Sequence, residues 1–138
     1  MSKILLVDDD HEYLLLLGEA MRLRCLDFDL ATSAEQARGL LNDTQYDIIF
    51  SDLNMPLESG LDLYDYVSSK HPETPFVLMS GCYDEIIRRE AVRMGISAFV
   101  LKPVYVHELM ETIENLLLFT PRAAEMTALT ISSQTGLN

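Results

Sequence analysis

Cysteine is scarce in this sequence of 138 residues, which contains 2 Cys and no Trp. Cys25 and Cys82 lack the short spacing of zinc motifs, so we expect two reduced thiols rather than a disulfide or a metal site. Long apolar runs are also missing, and none approaches membrane-spanning length. The first apolar run, Ile4-Leu5-Leu6-Val7, is too short for the core of a secretion signal. We therefore expect a cytoplasmic protein with no membrane segment.

Positive charge is the other feature in short supply. Lys and Arg number 10 against 22 Asp and Glu, which gives a formal net charge of −12. A surface this acidic repels nucleic acid and anionic lipid, so we expect no direct nucleic-acid binding by this domain. It suits a cation site without demonstrating one. The hydrophobic share of 49% and the length are ordinary for one globular domain with a sizeable core.

The apolar pattern alternates between strand-like runs and helical periodicity along the chain. We predict strands at residues 4–7, 28–31, 46–51, 75–79 and 97–101, and helices at residues 11–24, 33–41, 60–71, 84–94 and 106–118. Alternating strands and helices with short connections favour an α/β doubly wound fold, in which helices cover both faces of a parallel sheet.

Local signals add detail to three of the predicted helices. Ser33 and Gln36 have the spacing of a capping box at the start of the second helix, and Gly95 is typical of a residue that ends a helix. The fourth helix has the thinnest apolar stripe, which suits a movable element. In the last helix, five apolar residues are predicted to point inward: Val106, Leu109, Met110, Ile113 and Leu117.

Chemically active residue types follow four of the predicted strands. The carboxyl ends of parallel strands lie along one edge of a sheet, where ligands bind. Each residue alone has an ordinary structural interpretation, as a helix cap, a turn aspartate, a loop serine or a lysine at a strand exit. Their joint occurrence is a much stronger signal than any one of them. The residues predicted to converge are Asp8, Asp9, Asp52, Ser80 and Lys102.

The chemistry of this group points to phosphoryl transfer. Three clustered carboxylates repel one another and favour a hard divalent cation, Mg²⁺ or Mn²⁺, which can neutralise and orient a phosphoryl group. Asp52 would then be the nucleophile. Lys102 would pair with the transferred oxygens, and Ser80 would donate a hydrogen bond to one of them. The sequence contains no nucleotide cradle, so the phosphoryl donor should come from outside.

These motifs closely resemble the receiver domain of two-component response regulators, including the chemotaxis regulators. The resemblance covers residues 3 to about 119. It implies a (βα)5 fold with strand order 2-1-3-4-5 and a cis peptide bond before Pro103. The matching motifs are Asp8-Asp9, the loop Asp52-Leu53-Asn54-Met55-Pro56 followed by Gly60, Ser80-Gly81, and Lys102-Pro103.

The resemblance also implies how the site would be phosphorylated and which residues would bind the metal ion. A histidine kinase, a phosphotransfer protein or a small phosphodonor would phosphorylate Asp52 in a Mg²⁺-dependent reaction. Besides Asp52, the ion would be bound by Asp9 directly, by Asp8 through water, and by the backbone carbonyl of Asn54. The domain would act as a signalling receiver that catalyses only its own phosphorylation and dephosphorylation.

Switching and signal lifetime are the remaining implied roles. Ser80 and Phe99 would form the switch that remodels the face made by the fourth helix, fifth strand and last helix. This face is also a common dimer interface in the family. Asn54 and Cys82 match the positions that tune dephosphorylation. Cys82 positions water less readily than an acidic or amide side chain, which predicts a long-lived phosphoryl group.

Three other protein classes share part of the pattern. In a haloacid-dehalogenase-like phosphatase, Asp8 would be the nucleophile and Asp10 the acid/base, but no cap insertion or late pair of acidic residues is found. A flavodoxin-like cofactor binder would need a Ser/Thr/Gly-rich loop after the first strand. A receiver-like interaction module that is never phosphorylated would not need the intact set of site residues.

Composition divides the chain near residue 120. Residues 1–119 form the predicted receiver domain, and residues 120–138 are rich in small and polar residues. The second segment is interpreted as a polar tail or as a truncated linker to a missing effector domain. No output sequence follows, so the sequence predicts neither the output nor the cognate kinase.

Overall fold

A computed structural model of the protein describes residues 2–117, and the segment 120–138 lies outside them. Five strands and five helices alternate along the chain, which confirms the predicted α/β doubly wound fold. The strands are β1 (Lys3–Val7), β2 (Asp27–Ala31), β3 (Ile48–Asp52), β4 (Phe76–Ser80) and β5 (Ala98–Leu101). The helices are α1 (His11–Leu23), α2 (Ala34–Asp43), α3 (Gly60–Lys70), α4 (Glu85–Met94) and α5 (Val106–Leu117).

All strand pairs are parallel, and the order across the sheet is β2-β1-β3-β4-β5, as the resemblance implied. Alternate residues along each strand point to opposite faces, and each face carries its own buried cluster. On one face Leu5 and Ile49 pack with side chains from α2, α3 and α4. On the other face Leu6 and Phe50 pack with side chains from α1 and α5. β3 and β4 are buried along their whole length.

Strand pairing extends past the ends of the strands and fixes the edge where the predicted site lies. Asp8 N–H donates to Ala31 O at 3.0 Å, Leu53 N–H to Met79 O at 2.8 Å, and Lys102 N–H to Ser80 O at 2.7 Å. Because these bonds continue the parallel ladder, the backbone of each strand exit has little freedom. The side chains that follow β1, β3 and β5 are therefore presented from a rigid edge.

Helix caps follow the sequence signals with one correction. The side chain of Asp10 accepts from Tyr13 N–H at the start of α1, and Gly95 ends α4 with a φ of 97°. Ser33 accepts from Gln36 N–H, but the Gln36 side chain accepts from Thr32 N–H instead of Ser33 N–H, so the predicted capping box is incomplete. α3 begins with a complete box, which Ser59 forms with its third helical residue.

The apolar face of α5 is also narrower than predicted. Leu109 and Ile113 are buried, whereas Val106 is 42% exposed. Val106 lines an open apolar cavity of about 250 Å³ beside α1, with Leu16 and Tyr105 among the other lining residues. The prediction that Val106 points into the core is therefore wrong, because the first turn of α5 faces this cavity rather than the sheet.

Across residues 2–117, no helix has both the length and the apolar character needed to span a membrane.

Candidate functional site

Three carboxylates meet at the carboxyl edge of the sheet. Asp8 follows β1 and is completely buried, Asp9 is exposed, and Asp52 ends β3 with 6% of its surface exposed. One oxygen from each of the three side chains lies within 4.8 Å of the other two. The predicted convergence of the acidic pair with Asp52 is therefore present in the structure.

Lys102 neutralises part of this negative charge. Its Nζ lies 2.7 Å from Asp8 Oδ2 and 3.4 Å from Asp52 Oδ1. Burial on its own would lower the pKa of Lys102, but its hydrogen bond to Asp8 and the two carboxylate charges outweigh burial, so its pKa is raised. Lys102 thus remains a cation at neutral pH between the two buried carboxylates.

The surroundings of Asp52 disfavour its ionised form. Burial and the neighbouring charge of Asp8 raise the pKa of Asp52 from 3.8 to about 6, against the opposing influence of Lys102. The ammonium of Lys102 is therefore insufficient to offset the combined effect of burial and the charge of Asp8 on Asp52. Strongly shifted pKa values of this kind concentrate at functional sites.

The donor set fits a hard divalent cation. Carboxylate oxygens are the ligands that Mg²⁺ and Mn²⁺ prefer, and one such oxygen from each of Asp8, Asp9 and Asp52 is close to the others. The raised pKa of Asp52 points the same way, because an added cation would favour its ionised form. Among residues 2–117 these are the three acidic side chains grouped closely enough to share an ion.

Ser80 lies at the end of β4 with 1% of its surface exposed. Its hydroxyl donates to the carbonyl of Cys82 at 2.9 Å and accepts from the Cys82 N–H at 3.2 Å. Cys82 itself is exposed. The hydroxyl is thus engaged with its own loop.

Three further predicted residues lie around this edge. Asn54 is exposed in the loop after β3, two residues beyond Asp52. Phe99 on β5 is partly buried against the cluster that includes Ala91 and Ile96. The peptide bond between Lys102 and Pro103 is cis.

The loop from Asp52 to Gly60 is shaped by tight contacts. Gly60 N–H donates to Leu53 O at 2.9 Å. A Cβ on Gly60 would lie 2.4 Å from the Asp52 carbonyl oxygen, so only glycine allows this approach. Leu57 has a φ of 71° and is fully exposed, and Glu58 N–H donates across it to Pro56 O, which closes a γ-turn.

Two positions that contribute to the site were not predicted from the sequence. Arg38 on α2 holds Glu58 through two bonds of 2.6 and 2.7 Å, which tie the loop after β3 to a helix. Tyr13 on α1 contacts both Lys102 and the segment after it. Each contact joins residues that are far apart in sequence, so no local sequence pattern predicts it.

Comparison with known proteins identifies the family. The sequence matches the family model of the response regulator receiver domain over residues 4–114. It is 34% identical over 127 residues to the response regulator protein PilR of Pseudomonas aeruginosa, in an alignment that covers 90% of this chain and 28% of PilR. It is 32% identical over 117 residues to the transcriptional regulatory protein CpxR of Escherichia coli, covering 85% of this chain and 50% of CpxR. The chain belongs to the response regulator receiver family.

The fold comparison agrees with this assignment. The chemotaxis protein CheY4 of Vibrio cholerae has a TM-score of 0.80 with 22% identity, over 84% of this chain and 98% of that one. Receiver domains of this family are signalling domains, and the role of phosphoacceptor is general to them. The chain spans 28% of PilR and half of CpxR.

Proposed function

We propose that Asp52 accepts a phosphoryl group in a Mg²⁺-dependent reaction, from a histidine kinase, a phosphotransfer protein or a small phosphodonor. The observation that carries this proposal is the meeting of Asp8, Asp9, Asp52 and Lys102 at one edge of the sheet. The raised pKa of Asp52 supports it, since a value of about 6 leaves the carboxylate mainly ionised at neutral pH. Such a carboxylate is also more basic than an exposed aspartate.

In the proposed reaction a side-chain oxygen of Asp52 donates an electron pair to phosphorus. The new O–P bond forms as the bond to the donor breaks, which is P–N in phosphohistidine and P–O in acetyl phosphate. The leaving group keeps the electron pair of the broken bond. Lys102, which lies 3.4 Å from Asp52 Oδ1, pairs as a cation with the transferred oxygens.

The proposed metal site has Asp9, Asp52 and the backbone carbonyl of Asn54 as direct ligands and Asp8 as a ligand through water. Mg²⁺ is the proposed ion and Mn²⁺ a substitute. A bound cation would supply charge neutralisation for the phosphoryl oxygens. The exposed position of Asp9 supports this assignment, because it leaves one ligand open to solvent while Asp8 is buried beside Lys102.

For the switch we propose that the Ser80 hydroxyl leaves the Cys82 carbonyl and donates to a phosphoryl oxygen on Asp52. Phe99 would then move inward. An open cavity of about 230 Å³ between α4 and β5, lined by Phe99, Ala91 and Ile96, supports a mobile ring because it leaves one side of Phe99 unpacked. The face made by α4, β5 and α5 would change with it.

The lifetime of the phosphoryl group is proposed to depend on Asn54 and Cys82. A cysteine at position 82 predicts a long lifetime, because it positions water less readily than an acidic or amide side chain.

The output follows from the same face. We propose that α4, β5 and α5 signal to an output domain or partner and form a homodimer contact. Val92 and Leu101 support an interface there, because they are apolar and are 61% and 44% exposed.

We also propose residues 1–119 as the receiver domain and residues 120–138 as a tail or linker, as composition suggests.

The test is to incubate the full chain with Mg²⁺ and acetyl phosphate and to map any acyl phosphate by mass spectrometry. We expect label on Asp52 and none when Mg²⁺ is chelated. The Asp52→Asn variant, with its fold checked by circular dichroism, should take no label. Label on Asp8 that persists in this variant would assign the phosphatase-like chemistry instead. Absence of label with every donor and the cognate kinase would leave an interaction module.

A further inference from the structure

Tyr13 lies on the first turn of α1, four residues after Asp9, and contacts the segment that follows β5. Its phenolic oxygen accepts a hydrogen bond from the backbone N–H of Val104 at 2.8 Å. The two residues are 91 positions apart in sequence. α1 is thereby joined to the segment that begins with Lys102.

The same side chain also contacts the lysine. Lys102 Nζ lies 4.7 Å from the centroid of the Tyr13 ring, within the range of a cation–π interaction. With 19% of its side chain exposed, Lys102 is enclosed by the ring and by the carboxylates of Asp8 and Asp52. Burial raises the pKa of Tyr13, so the phenol stays uncharged at neutral pH and the ring keeps its attraction for the cation.

A lysine side chain needs this kind of support, because its ammonium sits on a flexible stem of four carbons. The carboxylates hold the charge, but they also attract any other cation that enters the site. The ring face adds a contact to the ammonium that does not depend on the carboxylates. The bond to Val104 fixes the backbone from which the stem starts. Val104 is 7% exposed, so water could not readily accept the hydrogen bond of its N–H if the Tyr13 hydroxyl were removed.

We propose that Tyr13 is a positioning residue for Lys102 in phosphoryl transfer, acting through its ring and through its bond to Val104. This inference rests on the proposed function of Asp52. Beyond that function, we infer that Tyr13 on the first turn of α1 would keep the Lys102 ammonium in position when a metal ion binds the carboxylates. The ring also lines the apolar cavity of about 250 Å³ with Leu17 and Leu109, so phenylalanine fits at this position.

The first test measures the rate of phosphorylation by acetyl phosphate at saturating Mg²⁺. Tyr13→Phe keeps the ring and removes the acceptor for Val104, whereas Tyr13→Leu removes both contacts. We expect the maximal rate constant to fall about twofold to tenfold in Tyr13→Phe and further in Tyr13→Leu, with the half-saturating donor concentration unchanged. Tyr66→Phe is the matched control, since it deletes a phenol bonded to Asn42 on another face. It should behave as the wild type.

The second test is independent of phosphorylation and uses NMR of the metal-free full chain. The Lys102 Cε protons should be shifted upfield by the ring in the wild type and in Tyr13→Phe, and should lose this shift in Tyr13→Leu. The Val104 amide proton should move upfield in both variants. Both signals should be unchanged in Tyr66→Phe.

The two tests separate the inference from the proposed function. If the wild type takes no label, the proposed function has failed, and the NMR shifts alone decide whether Tyr13 positions Lys102. If the wild type is labelled but both Tyr13 variants keep its maximal rate, the positioning role is overturned. A Lys102 shift that persists in Tyr13→Leu, together with a Val104 amide signal that is unchanged in both variants, would overturn it as well.

Discussion

At the scale of single residues, the site combines groups that oppose the stability of the fold. Asp52 is almost fully buried, and its pKa is raised because burial and Asp8 both disfavour its charge. Folding is driven by removing apolar surface from water, whereas an ionised group loses hydration when it is buried. The proposed phosphoacceptor is therefore a residue whose charge the metal-free fold tolerates poorly.

We predict that Asp52→Asn stabilises the metal-free protein at neutral pH. The folded state has a pKa of about 6 for Asp52 against 3.8 for the unfolded chain, so between these values the folded state binds more protons. The free energy of unfolding therefore falls as the pH rises through this window. The full difference corresponds to about 3 kcal/mol, and we expect the variant to gain about 1 to 3 kcal/mol at pH about 7.5.

Urea unfolding in the presence of a chelator measures this gain. Below about pH 3 the two proteins should converge, because Asp52 is then protonated in both the folded and the unfolded state. Asp65→Asn is a control for net charge, since it removes one exposed carboxylate from α3. Lower stability of Asp52→Asn than of the wild type at neutral pH would contradict the prediction.

At the scale of elements, the order and type of the helices and strands were predictable, because apolar periodicity reflects burial directly. Leu14, Leu17 and Met21 recur at helical spacing and are buried in α1. The same rule was wrong for Val106, because periodicity does not show that the first turn of α5 faces an open cavity rather than the sheet. It also gave no sign of Tyr13, whose contacts depend on how α1 packs beside the end of β5. The grouping of side chains at the strand ends was predictable, since the carboxyl ends of parallel strands lie along one edge of the sheet. Contacts between a helix and a loop were not, because they depend on tertiary packing.

We predict that α4 opens before the other helices of the described chain. Ala91 is the one residue of α4 that is buried, whereas α1 has five such residues. The ion pairs of Glu85 with Arg88 and Arg89 lower the pKa of Glu85 to about 2 but lie at the surface, where such pairs add little stability. Amide hydrogens of residues 85–94 should exchange at least about tenfold faster than those of residues 11–23.

Hydrogen exchange followed by mass spectrometry checks this in the full chain. α5, with Leu109 and Ile113 buried, should fall between the two. Because surface ion pairs are screened by salt, raising the salt concentration should change the order of exchange little. Equal protection of α4 and α1 would argue against a movable α4 and weaken the proposed switch.

At the scale of the whole molecule, the net charge of −12 raises the question of which cation effects are specific. Any salt screens the repulsion among exposed carboxylates and so favours the compact state. A specific metal site binds only the folded protein, so the stability it adds rises with the logarithm of the cation concentration once that concentration exceeds the dissociation constant. The two contributions separate when ionic strength is held constant.

We predict that MgCl₂ raises the midpoint of thermal unfolding above that in NaCl at the same ionic strength. With Mg²⁺ at about 100 times its dissociation constant, the added stability should be about 2.7 kcal/mol. Asp9→Asn should lose this difference while keeping the general effect of NaCl, because Asp9 is an exposed member of the carboxylate group and most of the acidic surface is unchanged. Overlapping MgCl₂ and NaCl curves for the wild type would assign its response to cations to the acidic surface alone. A gain specific to Mg²⁺ that disappears in Asp9→Asn would locate the ion beside the proposed phosphoacceptor.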